Sequence, residues 1–110
     1  HYLLLLVQLQ HFPLRYMLMV CHTKDGCGDQ IQAVTHEGGT GRVQTVRRET
    51  NHLYYRAIEL FGQATGVPVL LNTSFNLRGE PIVTTPANAL NTFGNSDIDT
   101  LYLDDFVVRK

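Results

Sequence analysis

Pro68 to Val83 reads P-V-L-L-N-T-S-F-N-L-R-G-E-P-I-V. With Val67, its opening residues Val69, Leu70 and Leu71 form an apolar run of strand length. The run passes directly into Asn72, Thr73, Ser74, Asn76 and Arg78, and then into Gly79, Glu80 and Pro81. A buried strand ending in amide, hydroxyl and guanidinium groups is a common way to build a ligand site, because ligands of α/β proteins dock at the carboxyl ends of strands. Amides and hydroxyls offer donors and acceptors at short reach. An arginine offers a planar fork that fits phosphate or carboxylate. The same residue types dominate turns, so a polar turn capping a strand stands beside the ligand-site reading.

Working outward, the flanking residues give an α/β order. Asn51 caps a helix expected over 52–65, with Leu53, Ala57, Leu60, Phe61 and Ala64 at helical spacing as its core face and Gly66 as its stop. The expected strand over 67–71 follows. Thr85-Pro86 opens a second helix running to about Phe93 and halted by Gly94-Asn95. Residues 99–103 and 106–108 make a final strand pair joined at Asp104-Asp105. Upstream, the apolar residues 14–22 predict a buried strand, and Thr23 to Asp29 a turn. Residues 31–36 and 42–46 predict a hairpin around a Gly-rich turn over 37–41. The expected fold is α/β (α+β): a mixed twisted sheet with two helices packed on it.

Bulk properties narrow the function classes. A chain of 110 residues with 44% hydrophobic and 17% charged residues is expected to fold as one globular domain. A net charge of −1 without a basic run argues against nucleic acid or an anionic membrane as partner. Residues 1–13 are apolar, but Gln8, Gln10, His11 and Pro13 interrupt them, and Arg15 lies just beyond, so no membrane span is expected. The features of a signal peptide are also absent. This segment is expected to cover the domain 14–110, in cis or by exchange between subunits. Two cysteines, Cys21 and Cys27, are too few for a disulfide scaffold and read as free thiols in a reducing cytoplasm, with a local disulfide as the alternative. Cys21, His22, Cys27 and His36 fit no structural zinc spacing, so no metal site is expected. Neither G-x-S-x-G nor a Walker-type phosphate loop occurs.

A second candidate site lies at His36, ahead of Glu37-Gly38-Gly39-Thr40-Gly41-Arg42. A Gly-rich turn can aim backbone N–H groups at an anion, and Arg42 adds charge; the alternative is an ordinary hairpin loop.

Four stretches resemble one family, in the same order. N-T-S-F-N-L-R-G-E-P-I-V-T-T-P (72–86) looks like the C-terminal region of nodulation-type and antibiotic-type O-carbamoyltransferases. R-Y-M-L-M-V (15–20) resembles the family's P-Y-M-L strand. A-V-T-H-E-G-G-T-G-R-V-Q-T-V (33–46) resembles its A-V-T-H-x-D-G-T-A-R-x-Q-T-V segment. D-T-L-Y-L-D-D-F-V-V-R-K (99–110) resembles its closing strand pair.

The resemblance implies a partial YrdC-like domain, the part of these enzymes that joins ATP and carbamoyl phosphate into carbamoyl-adenylate. A larger N-terminal domain then moves the carbamoyl group to a hydroxyl. Carried over by position, Ser74 and Asn76 resemble the serine-x-asparagine motif around nucleotide phosphates. Arg78 is the charge partner for a phosphoryl or carboxylate oxygen, and Asn72 and Thr73 stand next. His36, Thr40, Arg42 and Gln44 complete the expected nucleotide and carbamoyl phosphate site. Glu80 reads equally as a structural partner of Arg78. ATP and Mg²⁺ are the implied cofactors. Gly38 replaces the family's Asp and Gly41 its Ala. The family's G-P-R-A-L-G and K-x-R-E-x-F-R-P segments have no counterpart here. A truncated domain that binds phosphate ligands without catalysing alone is therefore expected. Its alternatives are a stand-alone oligomeric binding or regulatory module, and a component that works with a separate transferase-domain partner. A homo-oligomer is expected.

Overall fold

The computed structural model describes residues 14–110. The expectations for 1–13 lie outside the described residues. The chain divides into two compact units, the first ending at Leu71 and the second running from Asn72 to Lys110. The class is mixed α/β, with the described strands in two separate two-stranded antiparallel sheets.

In the first unit, β1 (Val20–His22) pairs with β2 (Thr40–Arg42), placing Val20 opposite Arg42, Cys21 opposite Gly41 and His22 opposite Thr40. This corrects the expected strand over 14–22. Met17 lies at φ 50, which ends any extended run there, and Tyr16, Leu18, Met19 and Val20 are all exposed. It also corrects the hairpin. Residues 28–34 form a 3₁₀ helix rather than a strand, and a single bridge between His36 and Thr40 is all that remains of the expected pairing. Residues 43–46 lie outside any ladder. They are tied instead to the chain at 14–15, with the Thr45 N–H and hydroxyl donating to Leu14 O at 2.6 and 3.1 Å. Leu14 and Ile31 are the buried apolar residues of this unit among the described residues. Gly41 is buried as well; a Cβ there would meet Val34 O at 2.9 Å.

Helix α1 (His52–Thr65) has the expected bounds. Asn51 Oδ1 accepts from Tyr54 N at 3.0 Å, and Gly66 closes the helix at φ 82. The expected core face is reversed. Leu53, Ala57, Leu60, Phe61 and Ala64 are exposed, whereas Tyr55, Ile58, Glu59 and Gly62 on the opposite side are half-buried. Three contacts fix that orientation. Arg48 lies over the Tyr55 ring at 5.1 Å, Arg48 also pairs with Glu59 at 3.5 Å, and Pro68 packs against Gly62.

Pro68 also explains why 67–71 is not the expected strand. Val69 N donates to Val67 O at 2.9 Å, closing a three-residue turn centred on the proline. Proline's own missing N–H removes a further ladder donor.

In the second unit, α2 (Pro86–Gly94) starts as expected. Thr85 Oγ1 accepts from Asn88 N at 3.1 Å and Pro86 opens the first turn. Strands β3 (Thr100–Leu103) and β4 (Phe106–Arg109) pair with Leu103 opposite Phe106, and Asp104 turns the chain at φ 53. Ala89, Thr92 and Phe93 are buried. Lys110 holds the end of the unit. Its N–H donates to Asp99 O, and its ammonium lies 4.9 Å from the Phe93 ring centroid and hydrogen-bonds Ser96 O.

Candidate functional site

The residues singled out from sequence fall into both units. Asn72, Thr73, Ser74, Asn76 and Arg78 belong to the second, and His36, Thr40, Arg42 and Gln44 to the first.

In the second unit, Asn72, Thr73 and Ser74 are exposed and precede a loop that is built from its own hydrogen bonds. Val83 N donates to Phe75 O at 3.0 Å, closing its base. Glu80 N donates to Leu77 O at 3.0 Å, which makes Leu77 to Glu80 a tight turn. Gly79, at φ 87, occupies the third position, and Arg78 has no positive φ; together these define a type II turn. That turn requires a residue free to take φ > 0, and Gly79 provides it. Arg78 is thereby exposed at the apex and makes no ion pair among the described residues.

The motif residues do not all point to one role. Asn76 is half-buried, and its Nδ2 donates to Glu80 O at 3.0 Å and Leu77 O at 3.3 Å. Its amide donor therefore shapes the loop. Glu80 does not pair with Arg78. Its Oε2 accepts from Leu77 N at 3.1 Å and from the buried Thr92 hydroxyl at 3.2 Å. Thr92 was not legible as part of this loop, because nothing local in the sequence links positions 80 and 92.

In the first unit, the Glu37–Gly39 turn is closed by Gly39 N donating to His36 O and His36 N donating to Thr40 O. Thr23 grips it from outside, its N–H and hydroxyl donating to Gly39 O at 2.9 and 3.0 Å. His36 and Arg42 are exposed and Thr40 is half-buried on β2. Gln44 Nε2 donates to Arg15 O at 3.0 Å. Beside the turn lies an open depression of about 390 Å³, lined by His22, Lys24, Asp25, Asp29, Gly38 and Gly39 among others. Sequence reasoning took Thr23 to Asp29 as a plain turn and missed it. One lysine against two carboxylates gives these walls a net negative charge, which opposes a bare anion.

Cys21 and Cys27 are free and half-buried. Among the described residues no three His, Cys, Asp or Glu side chains converge as metal ligands, and no helix is long and apolar enough to cross a membrane.

Comparison with known proteins adds the following. Residues 5–110 match the family model for the carbamoyltransferase C-terminus. The chain is 43% identical over 97 residues to the nodulation protein NolO of Bradyrhizobium diazoefficiens, covering 88% of this chain and 18% of that protein. It is 43% identical over 101 residues to the nodulation protein NolNO of Sinorhizobium fredii, covering 92% and 15%. It is 41% identical over 68 residues to the 3'-hydroxymethylcephem-O-carbamoyltransferase of Amycolatopsis lactamdurans, covering 62% and 13%. The chain thus spans less than a fifth of the length of these curated relatives.

Proposed function

Because the chain belongs to the carbamoyltransferase C-terminus family, we propose that it binds the phosphate-bearing reactants of carbamoyl transfer, ATP and carbamoyl phosphate, and does not complete the transfer alone. The observation that carries this reading is Arg78, exposed at the apex of a self-bonded turn, two residues from Asn76 and preceded by the exposed polar run 72–74. A guanidinium held out on a rigid turn suits an anionic oxygen, and neighbouring hydroxyl and amide groups suit the rest of a phosphate. Arg42, His36 and the Gly38–Gly39 turn of the first unit are a separate candidate for anion contact, taken by themselves. Magnesium would arrive with the nucleotide, because it keeps several waters and binds mainly through phosphates. The exposed Asn72, Thr73 and Ser74 can contribute oxygens, but the described residues supply no carboxylate cluster for it. A cytoplasmic setting suits both ATP and the two free thiols.

An amide-resolved NMR titration with Mg-ATP, and then with carbamoyl phosphate, tests the proposal. Saturable shifts are expected over 72–79. Arg78→Ala is expected to weaken ATP about tenfold, the effect of losing one charge-assisted contact. Unchanged affinity in that variant, with the fold intact, would remove the site assignment.

One observation favours a second reading, an oligomeric binding module without activity. The exposed face of α1 places Leu53, Ala57, Leu60 and Ala64 at alternating spacings of four and three, the seam spacing of a helix pair, with Leu53 82% and Leu60 47% exposed. A second copy docked on this seam predicts self-association. Sedimentation velocity at micromolar concentration should show a dimer that Leu60→Glu dissociates; a compact monomer in the unaltered chain rules the reading out.

A further inference from the structure

We infer that Thr92 is a positioning residue for Arg78: its hydroxyl holds the Glu80 carboxylate away from the guanidinium and so keeps that guanidinium available to an anion. The inference rests on the assignment of Arg78 as an anion contact.

Arg78 and Glu80 occupy the second and fourth positions of one turn, with only Gly79 between them. Left unrestrained, opposite charges this close compete with any incoming anion for the same guanidinium. Here the carboxylate is engaged elsewhere. Its Oε2 accepts from Leu77 N at 3.1 Å and from Thr92 Oγ1 at 3.2 Å. The backbone of Glu80 is fixed too, its N–H donating to Leu77 O and its carbonyl accepting from Asn76 Nδ2.

Thr92 is unusual in how it uses its hydroxyl. A threonine inside a helix commonly donates back to the carbonyl four residues earlier. Thr65, the last residue of α1, does so, to Phe61 O. Thr92, only 3% exposed on α2, donates to Glu80 instead, twelve residues away in sequence. A buried hydroxyl needs a partner, and a β-branched side chain in a helix has few rotamers with which to seek another. The turn's charged residue is therefore tied to a rigid donor that does not move with the turn.

Three variants test this: Thr92→Val, Thr92→Ser, and Thr92→Val combined with Glu80→Gln. Two readouts are taken: ATP affinity from the Gly79 amide, and solvent exchange of the Arg78 Nε–H. Thr92→Val should weaken ATP about two- to fivefold, the size of an exposed ion pair, and slow the Nε–H exchange. Thr92→Ser should match the unaltered chain. The double variant should recover ATP affinity, because glutamine brings no charge to compete. A Thr92→Val chain equal to the unaltered one overturns the inference, as does a double variant no better than Thr92→Val, which would leave the hydroxyl a purely structural role. If the unaltered chain does not bind ATP at all, the proposed function fails, and Nε–H exchange alone decides the positioning role: slower in Thr92→Val supports it, unchanged refutes it.

Discussion

Phe93→Ala should abolish most of the stability of the unit from Asn72 to Lys110. Phe93 is 4% exposed, and Ala89 is the unit's other buried apolar side chain. Truncating a buried phenylalanine costs about 3–5 kcal/mol through lost transfer energy and the cavity left behind. A unit this short buries little surface and has no comparable side chain to take over. The variant also loses the ring beneath the Lys110 ammonium. Hydrogen exchange is the natural measurement: protection at the paired residues of β3 and β4 should fall to near that of an unfolded chain. Protection that survives would mean that the hairpin is stabilised by something other than this ring.

Gly62→Ala should destabilise the first unit, against the usual direction. Inside a helix, alanine normally stabilises relative to glycine by about 0.5–1 kcal/mol. Here a Cβ would stand 2.6 Å from Pro68 Cβ and 2.9 Å from Pro68 Cα, both on a stiff ring. Either the helix or the proline must retreat, and overpacking of this kind costs about 1–3 kcal/mol. Thermal unfolding followed by helical circular dichroism should show a lowered midpoint. A raised midpoint would mean that Pro68 does not press on the helix.

The two predictions mark what was and was not legible in the sequence. Helix bounds were legible because they are set locally: Asn51 and Gly66 bracket α1, and Thr85-Pro86 opens α2. Which face of α1 is packed was not. Periodicity shows where the apolar residues lie, and the packed side was decided by the absent side chain of Gly62 and the proline opposite it. The strand expected over 67–71 failed for the same residue, since Pro68 bends its own neighbours into a turn. At the candidate site, the amide, hydroxyl and glycine content of 72–79 left a polar turn and a ligand site as alternatives, and did not show that Arg78 stands at a turn's apex. The partner that restrains Glu80 was hidden because it lies twelve residues on, and the grip of Thr23 on Gly39 because it spans sixteen.

The turn that displays Arg78 also displays the peptide bond after it. Trypsin cleaves behind arginine, and exposed loop tips are its preferred points of entry. Arg78 and Gly79 are both exposed. A nick between them would part Asn76 from the Glu80 carbonyl that orders it. Any molecule seated on the guanidinium shields the same bond, so the rate at which digestion severs the chain there becomes a gauge of occupancy that needs no label and can be read from a gel.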